Sequence, residues 1–520
     1  MTGAYLLAAV ILLLVPSAAA AAFGPLGQRG TGTGGTGAGE LSSPYQPAVD
    51  AQGNLWVADS DNSRIAEFAP NGTFIKAFGK DVGGTGVNVC TSSCQAGTDD
   101  GTAGSMCFPD GLAIDPATGN LVVGDECAEA LMIFTPDGLF VRAFGKDVGG
   151  VGVDVCTTSC STGNAGSGAG EYNTPVEVAI DSAGNVFFAD QDNNRIAVLT
   201  LTGGFQRAFG ADVGGLGVDG CTTSCVAGTE GPAAGELSGS SGVAVDGSGN
   251  VFVSEGGNNR ISVFHSDGMF LRAFGGDVGG AGVNVCTASC TFGSIAGGAA
   301  GQLDQPFEVG FNQKTGEVLI PEFSGDRVSA YTPGGTFLRT FGADVDQGGG
   351  TGFEVCTTLC KYGVSGTAPG QLESPSGVAI DQCGTLYVSE GGDARVQLFG
   401  EPGGQPPLCT TAAGKPSNTF GFGKVKRNKK KGTATVDLTL PGPGNLAASG
   451  KNASVKQLGA ISSKADAAAS TVKLVIKAKG KAKKKLNAKG KAKLSLLVTF
   501  TPTGGDANSQ PLKVKLLKKL

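Results

Sequence analysis

The sequence predicts an all-β chain: a six-bladed β-propeller followed by a small basic β-sandwich. Three observations lead there. A segment of about 65 residues recurs six times, each copy contains four short apolar–polar alternations, and no stretch between them has helical periodicity. The last hundred residues abandon the repeat and change sign of charge.

The best-formed copy is GVAVDGSGNVFVSEGGNNRISVFHSDGMFLRAFG (242–275). The Arg after its second turn marks the copies at Arg64, Ala130, Arg195, Arg260, Arg327 and Arg395, in steps of 66, 65, 65, 67 and 68 residues. Within a copy, alternation in 242–246 gives a first strand and 247–250 a turn. Strands at 251–253, 261–264 and 270–274 follow, with a turn at 256–259 whose Gly and Asn tolerate positive φ. A lone four-stranded sheet leaves apolar faces uncovered, so the copies must stack. The G-N-hydrophobic strand, the N-x-R turn and the F-x-R-x-F-G ending resemble the NHL repeat over about 360 residues. That resemblance implies a six-bladed propeller over 21–400 and no single chemistry.

Residues 1–20 read as a secretory signal: an apolar stretch from Ala4 to Val15, too short to span a bilayer, then an Ala run offering cleavage near Ala18–Ala20. No later segment is apolar for 18 residues, so the expected mature protein is extracellular or surface-held without a membrane span. The sixth copy lacks its F-x-R-x-F-G strand, and Ala21–Gly24 is expected to supply that edge and close the ring.

The repeat exceeds familiar propeller periods by about 20 residues. The excess forms inserts such as FGKDVGGTGVNVCTSSCQAGTDDGTAG, which leave the fourth strand of one copy and enter the first strand of the next. Antiparallel order puts the inserts and the N-x-R turns on one rim, where a protein or glycan partner is expected.

There are 14 Cys. Ten form C-x-x-x-C pairs: Cys90–Cys94, Cys156–Cys160, Cys221–Cys225, Cys286–Cys290 and Cys356–Cys360. Disulfides are expected after export. Zinc thiolates or cross-loop pairs are the alternatives, although two thiolates per loop without His make an incomplete zinc set. Topology pairs the other four as Cys107–Cys127 and Cys383–Cys409.

An acidic residue ends the second strand of every copy: Asp59, Asp125, Asp190, Glu255, Glu322 and Glu390. Five are followed five residues later by Arg64, Arg195, Arg260, Arg327 and Arg395. The series reads either as structural carboxylate–guanidinium pairs or as a rim ring binding Ca²⁺ or a cationic ligand. A second series, Asp81, Asp147, Asp212, Asp277 and Asp344, opens each insert and offers either Ca²⁺ ligands or ordinary Asp–Gly turns. The only His, His265, falls in a surface turn, which excludes multi-histidine metal sites. Gly30–Gly35 lacks the strand, helix and G-K-S/T of a phosphate loop.

The net charge of −6 hides a split. Residues 421–520 hold 22 Lys, one Arg and three Asp, a net of +20, while the remainder carries −26. After a Gly/Pro linker at 401–422, strands are expected at 433–440, 471–478, 493–501 and 512–517 of an Ig-like sandwich spanning 423–520. The run IKAKGKAKKKLNAKGKAK is too charged to bury. The domain resembles Lys/Ala-rich C-terminal domains of exported actinobacterial proteins. Its charge suggests attachment to a polyanionic surface or merely a solvated face; nucleic acid is not expected without interleaved aromatics.

The leading reading is therefore a non-enzymatic extracellular binding or scaffold propeller, with no cofactor required. The alternative is a lyase- or lactonase-type propeller enzyme with a metal held by carboxylates at the central channel.

Overall fold

The computed structural model describes residues 23–295, 298–400, 421–440, 444–458, 470–502 and 508–520. The segment 1–20 and Cys409 lie outside the described residues. The chain divides into two compact units, Met1–Cys409 and Thr410–Leu520.

The first unit is a β-propeller. Six antiparallel sheets follow one another along the chain. Sheet three is typical, with strands Pro175–Ile180, Asn185–Asp190, Arg195–Thr200 and Phe205–Phe209. The other first strands are Pro44–Val49, Pro109–Ile114, Ser240–Val245, Gly310–Asn312 and Pro375–Ile380. Each first strand contacts the first strand of the next sheet, and the sixth contacts the first. Six inner strands thus close a ring about one axis. Apolar clusters lie between neighbouring sheets, so burial comes from stacking; Phe187, Phe209, Val253 and Phe264, for example, share one cluster between sheets three and four.

Two features depart from the sequence expectation. Sheets one to five have a fifth strand, because the first Cys of each insert pair folds back on strand four, as Cys221 does on Ala208. The closing strand is Gly24–Arg29, not Ala21–Gly24; it runs antiparallel to Arg395–Gly400 from Gly24 opposite Gly400 to Arg29 opposite Val396. Pairing with six residues of the sixth sheet requires a segment of this length. Phe23 anchors it against Phe341, Phe353 and Phe399, with ring centroids 5.0, 6.2 and 6.4 Å away.

The second unit has a four-stranded sheet and a three-stranded sheet that share one apolar cluster, including Val436, Ile476, Val498 and Phe500. The four-stranded sheet runs Gly421–Asn428, Thr433–Leu440, Ser470–Ala478, Ala453–Leu458 in spatial order; the other runs Gly444–Ser449, Lys491–Pro502, Asn508–Leu517. The lysine run, expected only to be too charged to bury, forms a helix over Gly480–Lys489 that buries Leu486 alone. No described helix is long and apolar enough to cross a membrane.

Candidate functional site

The acid–Arg series forms buried clasps. Asp59, Asp190, Glu255, Glu322 and Glu390 are wholly buried, and each pairs with the Arg opposite it at 2.6–3.0 Å. The residue before each marker position, Ser63, Glu129, Asn194, Asn259, Asp326 and Ala394, adopts φ between 47° and 51°. This left-handed step turns strand three back beneath the acid, and the Asn two residues before the Arg in sheets one, three and four (Asn62, Asn193, Asn258) donates its Nδ2 to that acid and to a carbonyl of the entering loop.

Arg64 shows why the guanidinium is needed. Its Nε donates to Asp59 Oδ2 at 2.6 Å, Nη1 to the carbonyls of Thr36 and Gln95, and Nη2 to those of Gly37 and Glu40. All five N–H groups are used, and they bolt the loop entering the sheet to the insert leaving it. The Gly-Glu/Gln-Leu triplet before most first strands, Gly-Glu-Tyr in sheet three, supplies a carbonyl for this bolt, from Glu40, Glu171, Glu236, Gln302 and Gln371. In sheet six no insert follows, and Gln28 of the closing strand takes its place at 3.4 Å from Arg395 Nη1.

Sheet two has Ala130 instead of Arg. Asp125 there accepts N–H bonds from Cys107, Phe108 and Ala128, and the Cys107–Cys127 disulfide ties the entering loop to the turn. A covalent bond stands where the other sheets use a guanidinium. Burial pushes Asp59, Asp125 and Asp190 up to about 6 and Glu390 up to about 7. With their side chains sealed inside, the clasp residues present no charged surface to a partner on the rim.

The insert aspartates sit at φ of 57–62°. Asp81, Asp147, Asp212 and Asp277 accept the N–H of the Gly five residues on at 2.5–2.6 Å, and Asp344 pairs with Lys361 at 3.2 Å. Asp81, Asp147 and Asp212 also accept from Thr98, Asn164 and Thr229. Both carboxylate series make their bonds and ion pairs locally, within their own sheets and inserts. Among the described residues the one three-ligand grouping is Cys107, Asp125 and Cys127, and its sulfurs are bonded to each other. All five C-x-x-x-C pairs are disulfides, with Cα separations of 5.4–5.5 Å. Cys383 is disulfide-bonded as well. His265 lies on the opposite face, 3.0 Å from Asp267.

The open chemistry of the insert-bearing face lies at the channel mouth. Tyr45 is 5.8 Å from Phe108 and 5.4 Å from Phe307, which is 5.6 Å from Phe323, all half-buried. Asp61, Asp110, Glu126 and Asp192 belong to the same side of the ring. None of these four has a cationic partner among the described residues; Ser42 and Ser43 reach Asp61, Ser60 reaches Asp110, and Thr174 reaches Asp192. Burial, then the fields of Asp110, Glu126 and Asp61, push the Tyr45 hydroxyl up to about 12. Burial and Glu126 likewise raise Asp110, and burial and Asp192 raise Glu126. Sequence reasoning missed this cluster because its rings come from three sheets. The available signal was that Tyr45 and Phe307 occupy one repeat position, held elsewhere by Asp110, Val176, Ser241 and Ser376.

No protein-family model matches the chain. Peptidyl-glycine alpha-amidating monooxygenase A of Xenopus laevis is 28% identical over 178 residues, 33% of this chain and 16% of that protein; the chain therefore spans about a sixth of this relative. Among solved structures, streptogramin B lyase is 12% identical with a TM-score of 0.38, over 70% of this chain and 94% of that one. A gluconolactonase from Xanthomonas campestris is 14% identical with a TM-score of 0.39, over 74% and 99%.

Proposed function

We propose that the chain is an exported, non-enzymatic NHL-type propeller that binds a partner on its insert-bearing face, with a basic C-terminal domain that holds it to a polyanionic surface. One observation carries the binding reading: four half-buried aromatic rings meet four carboxylates that lack cations. Aromatic faces beside uncompensated acid favour a positively charged group, through cation–π attraction and charge-assisted hydrogen bonds. The partner is accordingly a protein segment presenting Arg or Lys. Six disulfides among the described residues favour an oxidising compartment. The strand orders of the second unit match the ABED and CFG sheets of an Ig-like sandwich.

Calorimetric titration of the full chain with a short Arg-containing peptide tests the binding site. Phe307→Ala, which leaves the charge unchanged, should weaken binding at least tenfold, as should Asp110→Asn. Equal weakening by neutralising acids on the opposite face, with no effect of Phe307→Ala, would reduce the attraction to the net acidity of the unit.

A further inference from the structure

Each insert carries one short loop whose side chains the fold does not use. Between the bonded cysteines stand residues 91–93, 157–159, 222–224, 287–289 and 357–359. A Thr follows the first Cys in all five, and 13 of these 15 residues are Ser or Thr. All 15 are exposed, and none of the 13 hydroxyls has a hydrogen-bond partner among the described residues. Hydroxyls just outside the loops are spent on the fold. Thr98 donates to Asp81 at 3.0 Å, Thr229 to Asp212 at 2.6 Å, and Ser105 to the carbonyl of Thr98 at 2.9 Å. Even Ser161, next to Cys160, donates to the carbonyl of Asp147 at 3.3 Å.

A second pattern runs in register with the first. Val87, Val153, Val218 and Val283, three residues ahead of the first Cys, are 47–50% exposed, and Val151 and Leu216 are 97% and 94% exposed. Four inserts thus present an apolar tip, then a disulfide, then open hydroxyls. The first Cys of each pair sits on the fifth strand, the outermost of its sheet. The loops therefore leave the perimeter of the propeller and not its channel mouth.

We propose that the five disulfide loops are O-glycosylation sites, their Thr and Ser hydroxyls the acceptors of neutral hexose. The proposal rests on the export of the chain proposed above. In the transfer, the hydroxyl oxygen attacks the anomeric carbon of a phosphate-activated sugar. A glycosidic C–O bond forms, the C–O bond to phosphate breaks and the phosphate leaves with its electron pair, while the hydroxyl proton passes to a base of the transferase. The surroundings select the group that is added. Asp81, Asp147, Asp154, Asp212 and Asp219 belong to these inserts, so a phosphoryl dianion would meet like charge. An acyl group would add apolar surface to tips that already expose valine. A sugar brings hydrogen-bonding groups without charge, and its solvated bulk shields the tips. Because the acceptor hydroxyls hold no bond within the fold, the adduct breaks none.

Peptide mapping by mass spectrometry tests this on the full chain, taken separately from the medium and the cells of its natural producer. In the secreted chain, peptides that contain the five loops should carry hexose increments, and fragmentation should place them on the loop hydroxyls and not on Thr98 or Thr229. The triple variant Thr222→Ala/Thr223→Ala/Ser224→Ala, which removes no hydrogen bond, should lose the increments of its own peptide and keep those of the other four inserts. Bare loops in the secreted chain, phosphate in place of hexose, or hexose only on hydroxyls outside the loops would overturn the proposal and leave export standing. A chain found only inside the cells, with bare loops, would overturn both.

Discussion

Sheet two suggests an exchange that can be made in sheet three. Replacing Arg195 by Ala removes five hydrogen bonds and leaves Asp190 buried opposite an empty space. Breaking one side of a buried ion pair costs about 3–5 kcal/mol. Asp190 keeps Asn193 and the Asn173 N–H, which places the cost toward the lower end. At about 2 cal/mol/K per residue of unfolding entropy, a unit of this length should lose about 4–6 °C in Tm. The positions equivalent to Cys107 and Cys127 are Asn173 and Asp192, whose backbones already meet at 3.2 Å from Asp192 N to Asn173 O. A disulfide between them would close a loop of about 20 residues and contribute about 3 kcal/mol. Asn173→Cys/Asp192→Cys on the Arg195→Ala background should therefore recover most of the lost Tm when oxidised, and lose it again in reductant relative to the oxidised form. The readout is the fluorescence of Trp56, the only Trp, which is buried in the propeller. An Arg195→Ala variant as stable as the parent, or a formed disulfide that restores nothing, would refute the clasp as the element that holds entering loop to turn.

Asp59, Asp125, Asp190 and Glu390 bind protons more tightly folded than unfolded, since burial raises each of them to about 6 or 7. Stability should consequently fall as pH rises from about 4 through about 7; a Trp56-detected Tm higher at pH 8 than at pH 5.5 would contradict this. Deleting Phe23–Arg29 should expose the edge of Arg395–Gly400, lower Tm by several degrees and cause concentration-dependent aggregation, checked by light scattering. Retention of the full chain on immobilised heparin should collapse between about 0.1 and 1 M salt as the Debye length shrinks from about 10 to 3 Å. The 421–520 fragment, with its net charge of +20, should bind by itself and the 21–420 fragment should not; salt-resistant retention or binding by the propeller fragment would argue against an electrostatic tail.

The propeller was readable because its information is periodic. Six copies repeat each strand and turn, so an irregularity in one, such as the short first strand Gly310–Asn312, does not obscure the set. The local disulfides and the 107–127 pair followed from spacing and topology. The closing strand was located to within a few residues, and the error came from matching Phe23–Gly24 to the end of another strand instead of using those residues as the anchor. The fifth strands were not visible, since two residues such as Val89–Cys90 carry no alternation. The axial contact between Gln46 and Glu177 was hidden for a different reason: it spans 131 positions and exists only once the ring has closed.

Repetition itself separates architecture from recognition here. Apart from the hydroxyls of the disulfide loops, the residues that recur in every insert and most turns are consumed internally: the clasp Arg donates all its N–H groups, most insert aspartates staple their own loops, and the cysteines bond within the insert. What a propeller can vary without losing the blade is the start of the inner strand, near the channel mouth, while residues further along it, such as Val178 and Val243, pack into the clusters between sheets. Counted from the Pro or Ser that opens the inner segment of each sheet (Pro306 in the fifth, which bridges Glu322), its second position reads Tyr45, Asp110, Val176, Ser241, Phe307, Ser376, and its third alternates a long polar residue with Gly. These departures place aromatic rings and acids without cationic partners at the insert-bearing mouth.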